Sequence, residues 1–194
     1  MENKLTDSKN VILIAARDLF WKHGFRRVTV EEICEKAGIS KMTFYRYFPN
    51  KIELAKTVFH NVTEEGYKQF LAIMNDISSP EEKIQKILLL KFEGTNDISQ
   101  EFLMDFYASK EYGLSYFVQE RTNDIWQKMI GEFRIAQENG TFRSDISPEF
   151  FFLVSRKLME SLNDQKILQL FATPQEMIME SARLLMYGIS PHRK

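Results

Sequence analysis

The chain has 194 residues, 44% of them hydrophobic and 27% charged, with a formal net charge of −1. That balance belongs to a soluble, globular protein of one or two domains, long enough to bury a sizeable core. The single cysteine, Cys34, excludes an intrachain disulfide and fits a reducing, cytoplasmic setting. Met1 to Asn10 lacks the apolar core of a signal peptide. No apolar run approaches the ~20 residues of a membrane span. The charge is uneven: residues 1–51 carry +4 and the remainder −5. A basic head on an acidic body suits an anionic partner at one end.

The spacing of Val11, Ile12, Ala15, Leu19 and Phe20 predicts a first helix from about Ser8 to His23, stopped by Gly24. His23 reads as a partner for the helix dipole. Arg26 and Arg27 follow in a loop, either touching phosphate or simply solvated. The second helix is marked twice at its start. Thr29 with Glu32 forms a capping box, and Val28 can staple onto Ile33. Val30, Ile33, Cys34 and Ala37 make its apolar stripe, which gives Cys34 a packing role. Gly38 ends it in the left-handed conformation.

Ser40 then caps a third helix that buries Phe44 and Phe48, with Ile39 stapled onto Phe44. Opposite the core lie Met42 and Arg46, flanked by Thr43 and Tyr45, with Lys41 and Tyr47 at the edges. No carboxylate interrupts this face. An arginine can donate two hydrogen bonds to a guanine edge, and a Thr or Met methyl can touch a thymine methyl. Lysine, threonine and tyrosine supply phosphate contacts that set register. A short helix of this kind after a Gly turn fits the recognition helix of a helix-turn-helix.

The run T-V-E-E-I-C-E-K-A-G-I-S-K-M-T-F-Y-R-Y-F-P-N-K-I-E-L resembles the signature of the TetR family of bacterial helix-turn-helix transcriptional regulators. The upstream L-F-W-K-H-G-F, Leu19 to Phe25, agrees with it. The resemblance implies an all-α fold: a three-helix DNA-binding domain at residues 1–52, then a helical-bundle effector-binding and dimerisation domain at 53–194. It implies phosphate or base contacts at Thr29, Lys41, Thr43, Tyr45, Tyr47 and Lys51. Met42 and Arg46 depart from commoner family residues, so the operator sequence cannot be borrowed. The implied protein is a homodimeric repressor on a palindromic double-stranded operator, released by a small, largely apolar effector. An activator of the same fold is the alternative.

Pro49 ends the third helix, and Asn50 caps a fourth, with Glu53 at capping-box distance. Lys51 then sits in a first turn where the helix dipole disfavours an ammonium, and a bound phosphate would relieve that. The fourth helix runs on toward Met74, with Gly66 a weak point, and offers a route for movement to reach the DNA. Ser79-Pro80, Ser147-Pro148 and Thr173-Pro174 mark later helix starts, the first and third with capping-box acids Glu82 and Glu176. The predicted helices are 80–93, 98–110, 112–139, 148–164 and 174–188, with Gly140 closing the long one. With no strand alternation and no repeat, the body is a helical bundle.

Phe102, Phe106, Tyr107, Tyr116, Trp126 and Met129 cluster mid-chain, either as solid core or as walls of an adaptable apolar pocket. The resemblance favours an effector cavity there. Tyr107 and Trp126 suit it best, because each joins an apolar surface to a polar tip. Phe151, Phe152, Val154, Leu158, Met159 and Leu162, then Met177, Ile178, Leu184, Leu185 and Tyr187, give the last two helices a broad apolar face. One stripe can pack inward while another meets a second copy.

An enzyme is the weaker reading. His23, His60 and His192 are isolated, and no HExxH, paired Cys, P-loop or Gly-x-Ser-x-Gly occurs. No cofactor or metal is implied. A protein-interaction adaptor that keeps the helical corner fits the carboxylate-free face poorly.

Overall fold

The computed structural model describes residues 2–161 and 164–191, with side chains omitted for 2–7 and 165. Leu162 and His192 lie outside the described residues. Within them the protein is all-helical. The elements are α1 (Glu2–Arg27), α2 (Val30–Ala37), α3 (Lys41–Tyr47), α4 (Lys51–Met74), α5 (Pro80–Gly94) and α6 (Gln100–Leu103). Then come α7 (Leu114–Glu138), α8 (Pro148–Glu160), α9 (Gln165–Leu168) and α10 (Pro174–Gly188). They form two compact units, Met1–Val62 with Asp97–Arg121, and Thr63–Asn96 with Thr122–Lys194.

The first unit starts from α1, which begins earlier than expected and breaks at Gly24, where φ is 77°. A left-handed residue there suits only glycine at low cost. Past the break, Phe25 turns back onto Phe20, their ring centroids 5.7 Å apart. Phe106 joins both, at 6.1 and 6.4 Å. Trp21 packs on Phe102 at 4.3 Å. Phe20, Phe25, Phe102 and Phe106 are all but fully buried, and each such side chain contributes roughly 1.5–3 kcal/mol of burial. Thus Phe102 and Phe106 belong to the core that carries the N-terminal helices.

The stretch expected as one helix over 98–110 is two kinds of turn. Ser99 caps α6 by accepting from the Phe102 amide, and after Leu103 the chain widens into a π-helical turn at Met104–Ala108. The Ser109 amide closes that turn on the Met104 carbonyl at 2.8 Å.

In the second unit α5 opens on a complete capping box. Glu82 accepts from the Ser79 amide at 2.8 Å while its own amide donates to Ser79 Oγ at 3.2 Å. Lys83, buried, donates to the Met74 carbonyl at the end of α4 (2.7 Å), supplying a partner to an orphan helix-end oxygen. Phe133, Phe142 and Phe152 centre the core with Ile84, Met179 and Met186. Trp126 and Met129 pack on that core. The helix expected to run to 164 ends at Glu160, and α9 follows as a separate short turn.

Two expected capping boxes stay open. Glu53 pairs with Lys56 at 2.8 Å instead of reaching back, although Asn50 still accepts from the Glu53 amide at 2.9 Å. Glu176 reaches one residue further, to the Ala172 amide at 2.8 Å.

Ser79→Ala is expected to cost about 1 kcal/mol and Ser79→Gly only a few tenths. Urea unfolding of the two variants against wild type measures the difference.

Candidate nucleic-acid interface

Helix α3 is seven residues long, too short to persist alone. Its conformation is imposed from both ends and from beneath. Ser40 Oγ accepts from the Thr43 amide at 3.1 Å, and Phe48 closes the last turn on the Phe44 carbonyl at 3.0 Å. Phe44 and Phe48 are buried, their rings 6.0 Å apart. The turn before it is fixed by Gly38 at φ 65°, whose amide and that of Ile39 satisfy the last carbonyls of α2. At the head of α2, Glu32 and Thr29 close the expected box at 2.7 and 3.2 Å. Val28 and Ile33 are both buried, as a hydrophobic staple requires.

What this frame presents is the face expected of α3. Met42 is 85% exposed and Tyr45 55% exposed. Arg46 is exposed as well, its guanidinium 5.2 Å from the centre of the Tyr47 ring. Thr43 and Tyr47 are half-buried, and Thr43 shares a hydroxyl contact with Ser40 at 3.0 Å. Lys41 pairs with Glu31 of α2, so the acid missing from α3 is supplied by its neighbour. That ion pair holds the Glu31 carboxyl below its ordinary value and the Lys41 ammonium above its own.

Lys51 is used differently from its neighbours on α3. Its ammonium donates to the carbonyls of Phe25 (2.7 Å) and Val28 (2.6 Å), with Arg26 O at 3.5 Å, and stands 4.1 Å over the Phe25 ring. Burial pushes its pKa down. Its three protons are directed at protein carbonyls. Arg26 turns to Asp105, its Nε 3.1 Å from Oδ1. Sequence patterning held no signal for Glu31 or Asp105, since both partnerships join separate elements.

Residues 12–58 match the family described as "Bacterial regulatory proteins, tetR family". Residues 12–58 thus carry the N-terminal segment that this family shares. It is 24% identical over 98% of its length to the HTH-type transcriptional regulator YdgC of Bacillus subtilis, covering 97% of that protein. It is 32% identical to the HTH-type transcriptional regulator RutR of Escherichia coli over 120 residues, 60% of this chain and 54% of RutR. In fold it is similar to the transcriptional regulator FadR from Bacillus subtilis, solved in complex with stearoyl-CoA. That match has a TM-score of 0.66 at 15% identity and covers 93% of this chain and 98% of that one. The protein is therefore a helix-turn-helix DNA-binding transcriptional regulator.

The six mid-chain aromatic and Met residues do not share one setting. Phe102 and Phe106 fill the first unit's core, and Tyr116 is 57% exposed. Tyr107 is half-buried, its ring 6.2 Å from those of Phe59 and Phe102, and burial pushes its phenol up to about 12. Trp126 and Met129 lie in the second unit, where Trp126 stands 6.2 Å from Phe152. No helix among the described residues is long and apolar enough to cross a membrane.

The Thr29 amide and hydroxyl hold the Glu32 carboxyl below its ordinary 4.5. The box therefore contributes in full above pH 4.5 and is lost as pH falls through the lowered value. The Thr29 amide proton shift is expected to titrate with a midpoint below 4.5 in wild type and to stay flat in Glu32→Gln. A midpoint at or above 4.5 would contradict the assignment.

Proposed function

We propose that the protein is a cytoplasmic, ligand-responsive repressor that binds a palindromic double-stranded operator as a homodimer. The observation that carries the reading is α3: a core-fixed helix whose outward face sets Met42, Tyr45 and Arg46 in solvent with no acid of its own. In this reading Met42 and Arg46 read base edges in the major groove. Thr29, Lys41, Thr43, Tyr45 and Tyr47 set register on phosphate, and Lys51 adds its backbone amide at the start of α4.

Two-fold pairing is supported by the outer faces of α8 and α10. Phe150 and Leu153 on α8, and Leu184 and Tyr187 on α10, are all more than 40% exposed. Beside them an open groove of 490 Å³ is lined by Leu153, Val154, Leu158, Leu170, Phe171 and Met177. A second copy would cover this face and set two recognition helices about 34–36 Å apart, or a multiple of that spacing, on one side of the duplex. A small, largely apolar effector releases the DNA by favouring a different spacing of the two heads. FadR was solved with stearoyl-CoA, whose acyl chain is long and apolar, and this supports an effector with an apolar part. Phe102 and Phe106 serve the first unit's core instead, so the candidate effector contacts left within that unit are Tyr107 and Tyr116, and within the second unit Trp126 and Met129.

Oligonucleotides selected from a random pool, followed by fluorescence anisotropy, test the DNA reading. Arg46→Ala is expected to cost about 1–3 kcal/mol on the selected duplex and to relax preference at one base pair. Failure of the intact protein to bind any duplex at low salt would overturn it.

Leu184→Asp is expected to yield a monomer in sedimentation equilibrium and to lose binding to the palindrome. A dimer that survives this change would move the interface elsewhere.

A further inference from the structure

The stretch 25–29, from the Gly24 break near the end of α1 to the cap of α2, is the α1–α2 loop, and it is held from two sides by groups outside it. Its carbonyls, from Phe25, Arg26 and Val28, face the Lys51 ammonium. Its amide side faces Asp105, 79 residues further along the chain. Asp105 is 93% buried as a residue, and both of its oxygens are engaged: Oδ2 accepts from the Arg26 amide at 2.9 Å, and Oδ1 lies 3.1 Å from Arg26 Nε. The other end of the guanidinium donates to Ser109 Oγ at 2.6 Å and lies 3.3 Å from Glu111. The backbone itself presses on the same place. A Cβ on Gly24 would stand 2.8 Å from Asp105 Oδ2 and 2.9 Å from the Glu101 Cβ.

Asp105 sits on the π-helical turn Met104–Ala108. Such a turn carries one residue more than an α-helical one. Closing it to α-helical bonding would swing Asp105 about 100° round the axis, away from Arg26. The next residues of the turn are Phe106 and Tyr107, packed into the aromatic core. One short segment thus grips the loop with a carboxylate and the core with two rings. Val28 at the end of that loop leads straight into Thr29, the cap of α2.

The geometry points to Asp105 as a positioning residue for DNA recognition: its carboxylate, placed by the π turn, fixes the α1–α2 loop and through it the reading helix α3. This rests on the DNA-binding reading above and adds to it a residue that never touches the duplex. Removing the carboxylate leaves the core in place but lets the head sample other orientations. The fraction of protein ready to bind falls, and the apparent affinity falls with it.

The test uses the full chain and the selected duplex. Asp105→Asn, which keeps the shape and loses the charge, is expected to raise Kd about tenfold. Because no phosphate contact is removed, the slope of log K against log salt is expected to stay as in wild type. The active fraction, from titration at protein concentrations far above Kd, is expected to stay full. Arg26→Met, at a side chain 52% exposed, removes the other half of the pair; it should give the same loss and add nothing to Asp105→Asn. Hydrogen exchange of the DNA-free protein is expected to quicken in residues 25–31 in both variants while the Phe20 and Phe44 amides stay protected. A Kd within twofold of wild type, a loss confined to the active fraction, or unchanged exchange in the loop would each overturn the proposal. Wild-type protein that binds no duplex would overturn the DNA reading instead, with the exchange result still deciding the role of Asp105.

Discussion

The N-terminal unit depends on how the end of one helix is satisfied by the start of another. α1 breaks at Gly24, which leaves carbonyls at its end without intrahelical partners. Lys51, in the first turn of α4, donates to the Phe25 carbonyl there and to the Val28 carbonyl just past the helix, both within 2.7 Å. A cation at a helix start opposes the local dipole, but the same cation at a helix end is favoured. The position that looks wrong for α4 is therefore right for α1. The Phe25 ring beneath the ammonium adds a cation–π contact and also desolvates it, which is why its pKa falls. Charged hydrogen bonds of this kind contribute about 1.5–3 kcal/mol, enough to offset a half-buried ammonium.

From that joint the reading head follows with little freedom. α2 and α3 are eight and seven residues long, and neither would hold its shape in isolation. Their order comes from caps at Thr29 and Ser40, the left-handed Gly38, and three side chains, Ile33, Phe44 and Phe48, pressed into the core. The outward face is then a consequence of the inward one. With Phe44 fully buried, Met42 and Arg46 are forced into solvent. An 85% exposed methionine adds nothing to the core.

The sequence was legible where the information is local. Caps, the Gly38 turn and the α3 face are set by residues three or four apart, and each stands where the pattern puts it. Legibility fails where several groups compete for one partner, whether they are near in the chain or far. Glu53 and Glu176 have the spacing of capping boxes, but Lys56 and the Ala172 amide outbid the expected donors. The π turn is hidden for the same reason. Nothing within 98–110 calls for an extra residue in the turn, and its carboxylate acquires a partner only when α1 is folded beside it. Phe102 and Phe106 show the limit for aromatics. Helical spacing says that they are buried, but not that Trp21, Phe20 and Phe25 bury them.

The cations of the head fall into two kinds, and the difference decides what a duplex would meet. Arg26 and Lys51 are bound to groups that water does not reach freely, Asp105 and the loop carbonyls. Giving these up for a phosphate would leave a buried acid or buried oxygens unpaired, which costs far more than a surface contact returns. Lys41 and Lys36 are paired with Glu31 and Asp18 at sites where both partners stay exposed. Pairs of that kind contribute little, so a phosphate can take the lysine at small cost. Arg46 stands exposed beside the Tyr47 ring. The +4 of residues 1–51 therefore overstates the charge available to DNA. What α3 and its edge keep is Lys41 and Arg46, which act through placement more than through bulk field.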